Sequence, residues 1–204
     1  MRKIAFIVFW NLITTLTPQF LLANETSALE ITENDFIIGD KNAPVTIIEY
    51  ASMSCSHCAN FHTNTLPNLK KEYIDTGKVQ MVFRDYPFNY PALMGSMMMR
   101  CIPENVRYDY MNALYQLQPT WVNREASITK KELYKIMQSG GMTKKEFDAC
   151  YSNLDIENEI LIGVMAAQKF NVRSTPSFIV NGQLVEGNKN IKEFRQIIDK
   201  ILSE

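Results

Sequence analysis

Val45-Thr46-Ile47-Ile48-Glu49-Tyr50-Ala51-Ser52-Met53-Ser54-Cys55-Ser56-His57-Cys58-Ala59-Asn60-Phe61-His62 is the stretch on which the fold turns. Its first six residues are apolar and β-branched, the pattern of a buried strand. A short serine-rich turn follows, and then Cys55-Ser56-His57-Cys58 opens a helical pattern. Two cysteines three apart on a helix share a face and can exchange between dithiol and disulfide. The same spacing also suits a metal, so the rest of the chain has to decide.

Working outward, Phe36-Ile37-Ile38-Gly39-Asp40 reads as a short edge strand with a turn, and Pro44 suits a strand start. The helix opened by the cysteines runs toward Tyr73, with Ser52 or Ser54 as cap and Pro67 as a kink or break. Lys78 to Arg84 is a second central strand, stopped by Asp85-Tyr86-Pro87. From about Leu93 to Phe170 the pattern is helical throughout. Thr129-Lys130-Lys131-Glu132 and Thr143-Lys144-Lys145-Glu146 have capping-box form, and Gly140-Gly141 suits the end of the first of these helices. Ser177–Val180 and Gln183–Val185 flank Asn181-Gly182, a strong hairpin signal, and a last helix starts at Asn190. Strand, helix, strand, helical block, hairpin and helix make an α/β chain with a thioredoxin-like arrangement. Residues 36–92 and 171–204 form that domain, and residues 93–170 a helical insertion.

The chain has 204 residues, 46% of them apolar, enough for one well-buried domain with an insertion. A formal net charge of −1 gives no reason to expect nucleic acid or anionic lipid as the main partner. Met1-Arg2-Lys3 followed by the apolar run from Ile4 to Leu16 has the form of a secretory signal peptide, residues 1–23. Cleavage after Ala23 or Ala28 would release it, and the alternative is an uncleaved anchor. Residues 24–35 are a polar, flexible lead-in. Export gives four cysteines a compartment that permits disulfides.

Cys55 is the better nucleophile of the pair, because free N–H groups and the dipole of a first helical turn favour a thiolate. Cys58 lies one turn in and would resolve a mixed disulfide. His57 either stabilises the Cys55 thiolate or sits solvated on an exposed turn. Period two places Glu49 with Val45 and Ile47, so it is either a buried acid beneath the dithiol or a strand-end charge reaching solvent. Thr175-Pro176 is either a plain turn before a strand, cis bonds being rare, or, since it precedes the hairpin where thioredoxin-like chains place a cis-proline loop, a loop that offers backbone groups to an extended substrate. Cys101 and Cys150 bracket most of the helical block. Bonded, they would close about 50 residues, and the alternatives are two buried thiols or a second redox pair. Met94, Met97, Met98 and Met99, with Met53, fit either ordinary packing or an adaptable apolar surface.

From about Phe36 to Leu202 the chain resembles the DsbA-like family of periplasmic thiol-disulfide oxidoreductases. The resemblance is carried by Ile48 through Cys58 and by Val172-Arg173-Ser174-Thr175-Pro176-Ser177-Phe178-Ile179-Val180-Asn181-Gly182. It implies Cys55 as nucleophile, Cys58 as resolver, His57 as thiolate-stabilising residue, Glu49 as buried acid and Pro176 as cis-proline. Cys101 and Cys150 look like an extra pair found in some members. Two departures bear on redox poise: Ser56 stands where the best-known members have proline, and Thr175 where they have valine. The implied activity is that of an exported monomer with no cofactor beyond its redox-active disulfide. It would donate that disulfide to reduced or unfolded client proteins and be re-oxidised by a quinone-coupled membrane partner. A disulfide isomerase or reductase is the alternative within the same chemistry, although only about a dozen residues separate the leader from Phe36, too few for a dimerisation domain. A module binding metal through Cys55, Cys58 and His57 or His62, or holding clients without catalysis, is the alternative outside it.

Overall fold

The computed structural model describes residues 29–204; the expected signal peptide or anchor over 1–23, with Ala23 and Ala28, lies outside the described residues. Five strands form one sheet, β1 (Phe36–Ile38), β2 (Val45–Ala51), β3 (Val79–Asp85), β4 (Ser177–Val180) and β5 (Gln183–Glu186), in the order β1-β3-β2-β4-β5. β2 pairs parallel with β3 and antiparallel with β4, and the two edge pairs are antiparallel. The β-branched run of β2 takes the central place because a middle strand needs apolar side chains on both faces. Val45, Ile47 and Glu49 point to one face, where Cys58, Phe61, Leu66, Phe178 and Phe194 pack. Ile48 and Tyr50 point to the other, against Val82, Tyr86, Ala167, Val172 and Ile179.

The parallel β2–β3 connection is a helical run over 56–74. It is built from α1 (Ser56–Asn60) and α2 (Leu66–Leu69), each followed by a wide π-type turn, Phe61–Thr65 and Lys70–Ile74. Pro67 does not break it. The wide turn before Leu66 absorbs the missing N–H, and the chain stays helical through the proline.

Between β3 and β4 lie α3 (Tyr90–Arg100), α4 (Glu104–Gln116), α5 (Gln118–Trp121), α6 (Ala126–Ser139), α7 (Lys144–Tyr151) and α8 (Leu154–Lys169), and α9 (Ile191–Leu202) closes the chain. Thr143 and Glu146 form the expected capping box on α7, and Asn190 and Glu193 form one on α9. Thr129 does not. α6 begins earlier, at Ala126, and Thr129 is buried inside it with its hydroxyl donating to the Asn123 carbonyl at 3.0 Å. A threonine on the core face gives its hydroxyl to the nearest buried carbonyl.

Met53, Met94, Met97, Met98 and Met99 are all buried, so the methionines serve packing and not a surface. Gly95 lets α3 lie close: a Cβ there would stand 2.9 Å from Trp121 and 3.0 Å from Met53. Cys101, at the end of α3, is bonded to Cys150 of α7. Asn181 and Gly182 both have positive φ, +43° and +86°, as the hairpin turn requires. Among the described residues no helix is long and apolar enough to cross a membrane.

Candidate active site at the dithiol

Cys55 is the N-cap of α1, in extended conformation, with its N–H donating to the Ser52 carbonyl at 3.0 Å. Neither Ser52 nor Ser54 caps the helix. The Ser54 hydroxyl turns to Asn89 Oδ1 at 3.0 Å, and the buried Ser52 hydroxyl has no protein partner. Capping by a short side chain here would need the residue before Ser56, and that residue is the nucleophile itself.

Both cysteines are free thiols; Cys55 is half-buried and Cys58 fully buried. That difference in burial makes them chemically unlike. Cys55 is lowered to a pKa of about 5, first by a hydrogen bond from the Cys58 thiol, then by the Thr175 side chain and the backbone N–H groups of Cys58 and His57, against the cost of burial. Cys58 is pushed far above the ordinary thiol range, by burial first, then by the Cys55 sulfur and the Glu49 charge. The proton of the pair therefore stays on Cys58. The 3.4 Å approach of Cys55 Sγ to the Thr175 carbonyl is a contact of the protonated thiol as donor. On ionisation the sulfur becomes an acceptor for Cys58 and the helix N–H groups.

The loop that carries Thr175 lies there because β4 runs antiparallel to β2 and starts opposite its end, Ser177 facing Tyr50. The Thr175–Pro176 bond is cis. An open groove of about 440 Å³ runs along this place, lined among others by Ser54, Cys55, Phe88, Asn89, Arg173 and Thr175. Phe88 is more than half exposed and gives the groove an apolar rim.

His57 is exposed, and its backbone N–H is among the groups that lower the Cys55 thiol. Glu49 is completely buried, and both its oxygens meet His62 Nε2, at 2.9 and 3.2 Å. His62, considered in the sequence only as a metal ligand, is thus the partner of the buried acid. It is buried and stacked on Tyr115, ring centroids 4.0 Å apart. Its place four residues after Cys58, on the same helical face, is the signal that could have shown it. Among the described residues no three His, Cys, Asp or Glu side chains converge as metal ligands.

Gln118 carries no sequence signal. From the start of α5 its Nε2 donates to the carbonyls of Met53 (2.8 Å) and Cys55 (3.0 Å). The helical block thereby holds the backbone on both sides of Ser54. Cys101 and Cys150 lie away from the dithiol, beside a separate cavity lined by Tyr110 and Met142.

A family model described as thioredoxin matches residues 31–200. A Rickettsia felis protein, provisionally named a protein-disulfide oxidoreductase, is 34% identical over 180 residues, covering 86% of this chain and 63% of that one. A Rickettsia bellii protein of the same name is 33% identical over 182 residues, covering 86% and 67%. The chain thus spans about two thirds of the length of these relatives. The crystal structure of Wolbachia pipientis alpha-DsbA1 superposes with a TM-score of 0.82 at 29% identity, over 88% of this chain and 96% of that one.

Proposed function

This chain belongs to the thioredoxin family, in its DsbA-like form, and we propose that it is an exported oxidase that donates the Cys55–Cys58 disulfide to reduced client proteins. One observation carries the reading. Cys55 is reachable from the groove and held as a thiolate, whereas Cys58 is sealed off and keeps its proton. A thiolate stabilised in the reduced state makes the disulfide the less stable form, and so an oxidant.

A client thiolate lying along the groove attacks Cys55 Sγ. A client–Cys55 bond forms, the Cys55–Cys58 bond breaks, and its electron pair leaves on Cys58, which takes up a proton. The client's second thiol, as thiolate, then attacks its own sulfur in the mixed disulfide. The client is released oxidised, with Cys55 as thiolate and Cys58 as thiol. The cis-proline loop supplies backbone groups beside Cys55 for an extended client segment, and Phe88 an apolar contact. Glu49 is the buried acid that serves the Cys58 proton. Re-oxidation falls to a quinone-coupled membrane partner. The names of the rickettsial relatives and the Wolbachia likeness support this reading, and the signal-peptide form of residues 1–23 supports export to the periplasm.

The test is a single turnover of oxidised protein with a synthetic peptide bearing two thiols. One peptide disulfide should form per protein, and an acid quench should capture the peptide on Cys55. Cys55→Ser should do neither. A peptide left reduced by the oxidised wild type contradicts the proposal.

A further inference from the structure

Arg173 lies two residues before Thr175, whose carbonyl stands 3.4 Å from Cys55 Sγ, and both residues line the client groove. Two extended residues span at most about 7 Å, so the Arg173 backbone is that close to the loop position that touches the nucleophile. Arg173 is exposed and, apart from Cys55 itself, is the one charged side chain lining the groove. Its Nη1 donates to the Gln168 carbonyl at 2.7 Å, near the end of α8, which pins the guanidinium. Its Nε and Nη2 donate to nothing among the described residues. That edge is the one that takes a carboxylate through two parallel bonds. The fold uses it twice elsewhere: Arg84 holds Asp35 through Nε (2.8 Å) and Nη2 (2.7 Å), and Arg195 holds Glu72 through the same two atoms at 2.7 Å. On Arg173 the edge is open.

Resting on the oxidoreductase reading above, we propose that Arg173 is a specificity-determining residue of the groove, selecting clients that carry an aspartate or glutamate two residues from the reacting cysteine. Side chains two apart on an extended segment point the same way. A client strand lying along residues 173–175 with its cysteine at Cys55 therefore sets the residue two positions along against Arg173. The open Nε–Nη2 edge closes on that carboxylate in the geometry that Arg84 and Arg195 use within the fold.

The rest of the groove does not blunt this choice. No carboxylate lines it, and its serines, Asn89 and Phe88 carry no charge, so they do not discriminate by sign. In the oxidised state that accepts a client, Cys55 is bonded to Cys58 and neutral, so an acidic client meets a cation and no anion. A basic client meets Arg173 as a like charge, and selection works by repulsion as well as attraction. The bond from Nη1 to Gln168 already holds the side chain, so less of its freedom is lost when a client binds.

The test is the second-order rate at which the oxidised full chain oxidises dithiol peptides that are alike except for Glu, Gln or Lys placed two residues before and after each cysteine. Each rate is divided by that peptide's rate with 2-hydroxyethyl disulfide, which removes the carboxylate's own effect on the client thiol. Wild type should take the Glu peptide roughly two- to fivefold faster than the Gln peptide and the Lys peptide slowest, with the spread shrinking in about 1 M salt. Arg173→Gln should flatten the series and Arg173→Glu should reverse it, as loss of a merely structural role would not. If Arg173→Glu does not fold, Arg173→Gln decides alone. Wild type that treats the peptides alike, or a preference for Glu that outlives either substitution, overturns the proposal. Wild type that oxidises none of them overturns the oxidoreductase reading instead.

Discussion

Acidifying the reduced protein through pH 5 should discharge Cys55 and remove the preference for the dithiol state. The folded pKa of about 5 lies below the ordinary thiol value of 9.0. A depressed pKa stabilises the reduced fold fully above the ordinary value, and the contribution is lost as pH falls through 5. At pH 7 the two values differ by about two decades in ionised fraction, or about 2.7 kcal/mol. Cys55 is half-exposed and screened by water, so roughly half of that, about 1.4 kcal/mol, is the figure to expect. It corresponds to about 30 mV in a two-electron potential. Thiolate absorbance near 240 nm reports the midpoint directly, with Cys55→Ser as the blank. Cys58 stays protonated throughout, so one step is expected. The potential should accordingly fall by about 59 mV per pH unit below the midpoint and about 30 mV above it, as reduction takes up two protons and then one. A single step near pH 9, or a potential that is straight through pH 5, would refute the assignment of the proton to Cys58.

Gln118→Ala should cost roughly 1–3 kcal/mol in urea unfolding, because the Met53 carbonyl loses its side-chain donor in a buried place, and it should move the Cys55 absorbance midpoint. Unchanged stability and midpoint would show that the helical block does not hold the motif. Cys101→Ala with Cys150→Ala opens a loop whose ends are 49 residues apart, a loss of about 4 kcal/mol in the loop-entropy model, measurable by urea midpoint. Gly182→Ala should cost roughly 1–2 kcal/mol from backbone conformation alone, since φ is +86° and a Cβ there meets nothing within 4 Å. A neutral substitution would mean that the hairpin turn rearranges.

What was legible in the sequence was what periodicity and turn chemistry encode. The alternation of β2 put Glu49 on the same face as Val45 and Ile47, and Asn181-Gly182 fixed the hairpin that brings Thr175-Pro176 to the end of that strand. Local signals failed where a side chain answers to a distant partner. Thr129 reads as a cap but gives its hydroxyl to Asn123 on the core side, and Ser54 turns to Asn89 across 35 positions. The metal reading of His62 gave way to a buried pair with Glu49 that only strand packing against helix could form. Gln118 was invisible because its two carbonyl acceptors lie more than 60 residues away. His57 reads as a partner of the thiolate by adjacency; its ring is exposed, and its amide is among the groups that lower Cys55.

The central claim is that this site makes its disulfide an oxidant, and equilibrium of Cys55–Cys58 with glutathione at pH 7, read by alkylation and mass, tests it most directly. A potential at least about 30 mV, the thiolate's contribution, above the roughly −270 mV of a reducing thioredoxin is the predicted result. A value at or below the latter would contradict it.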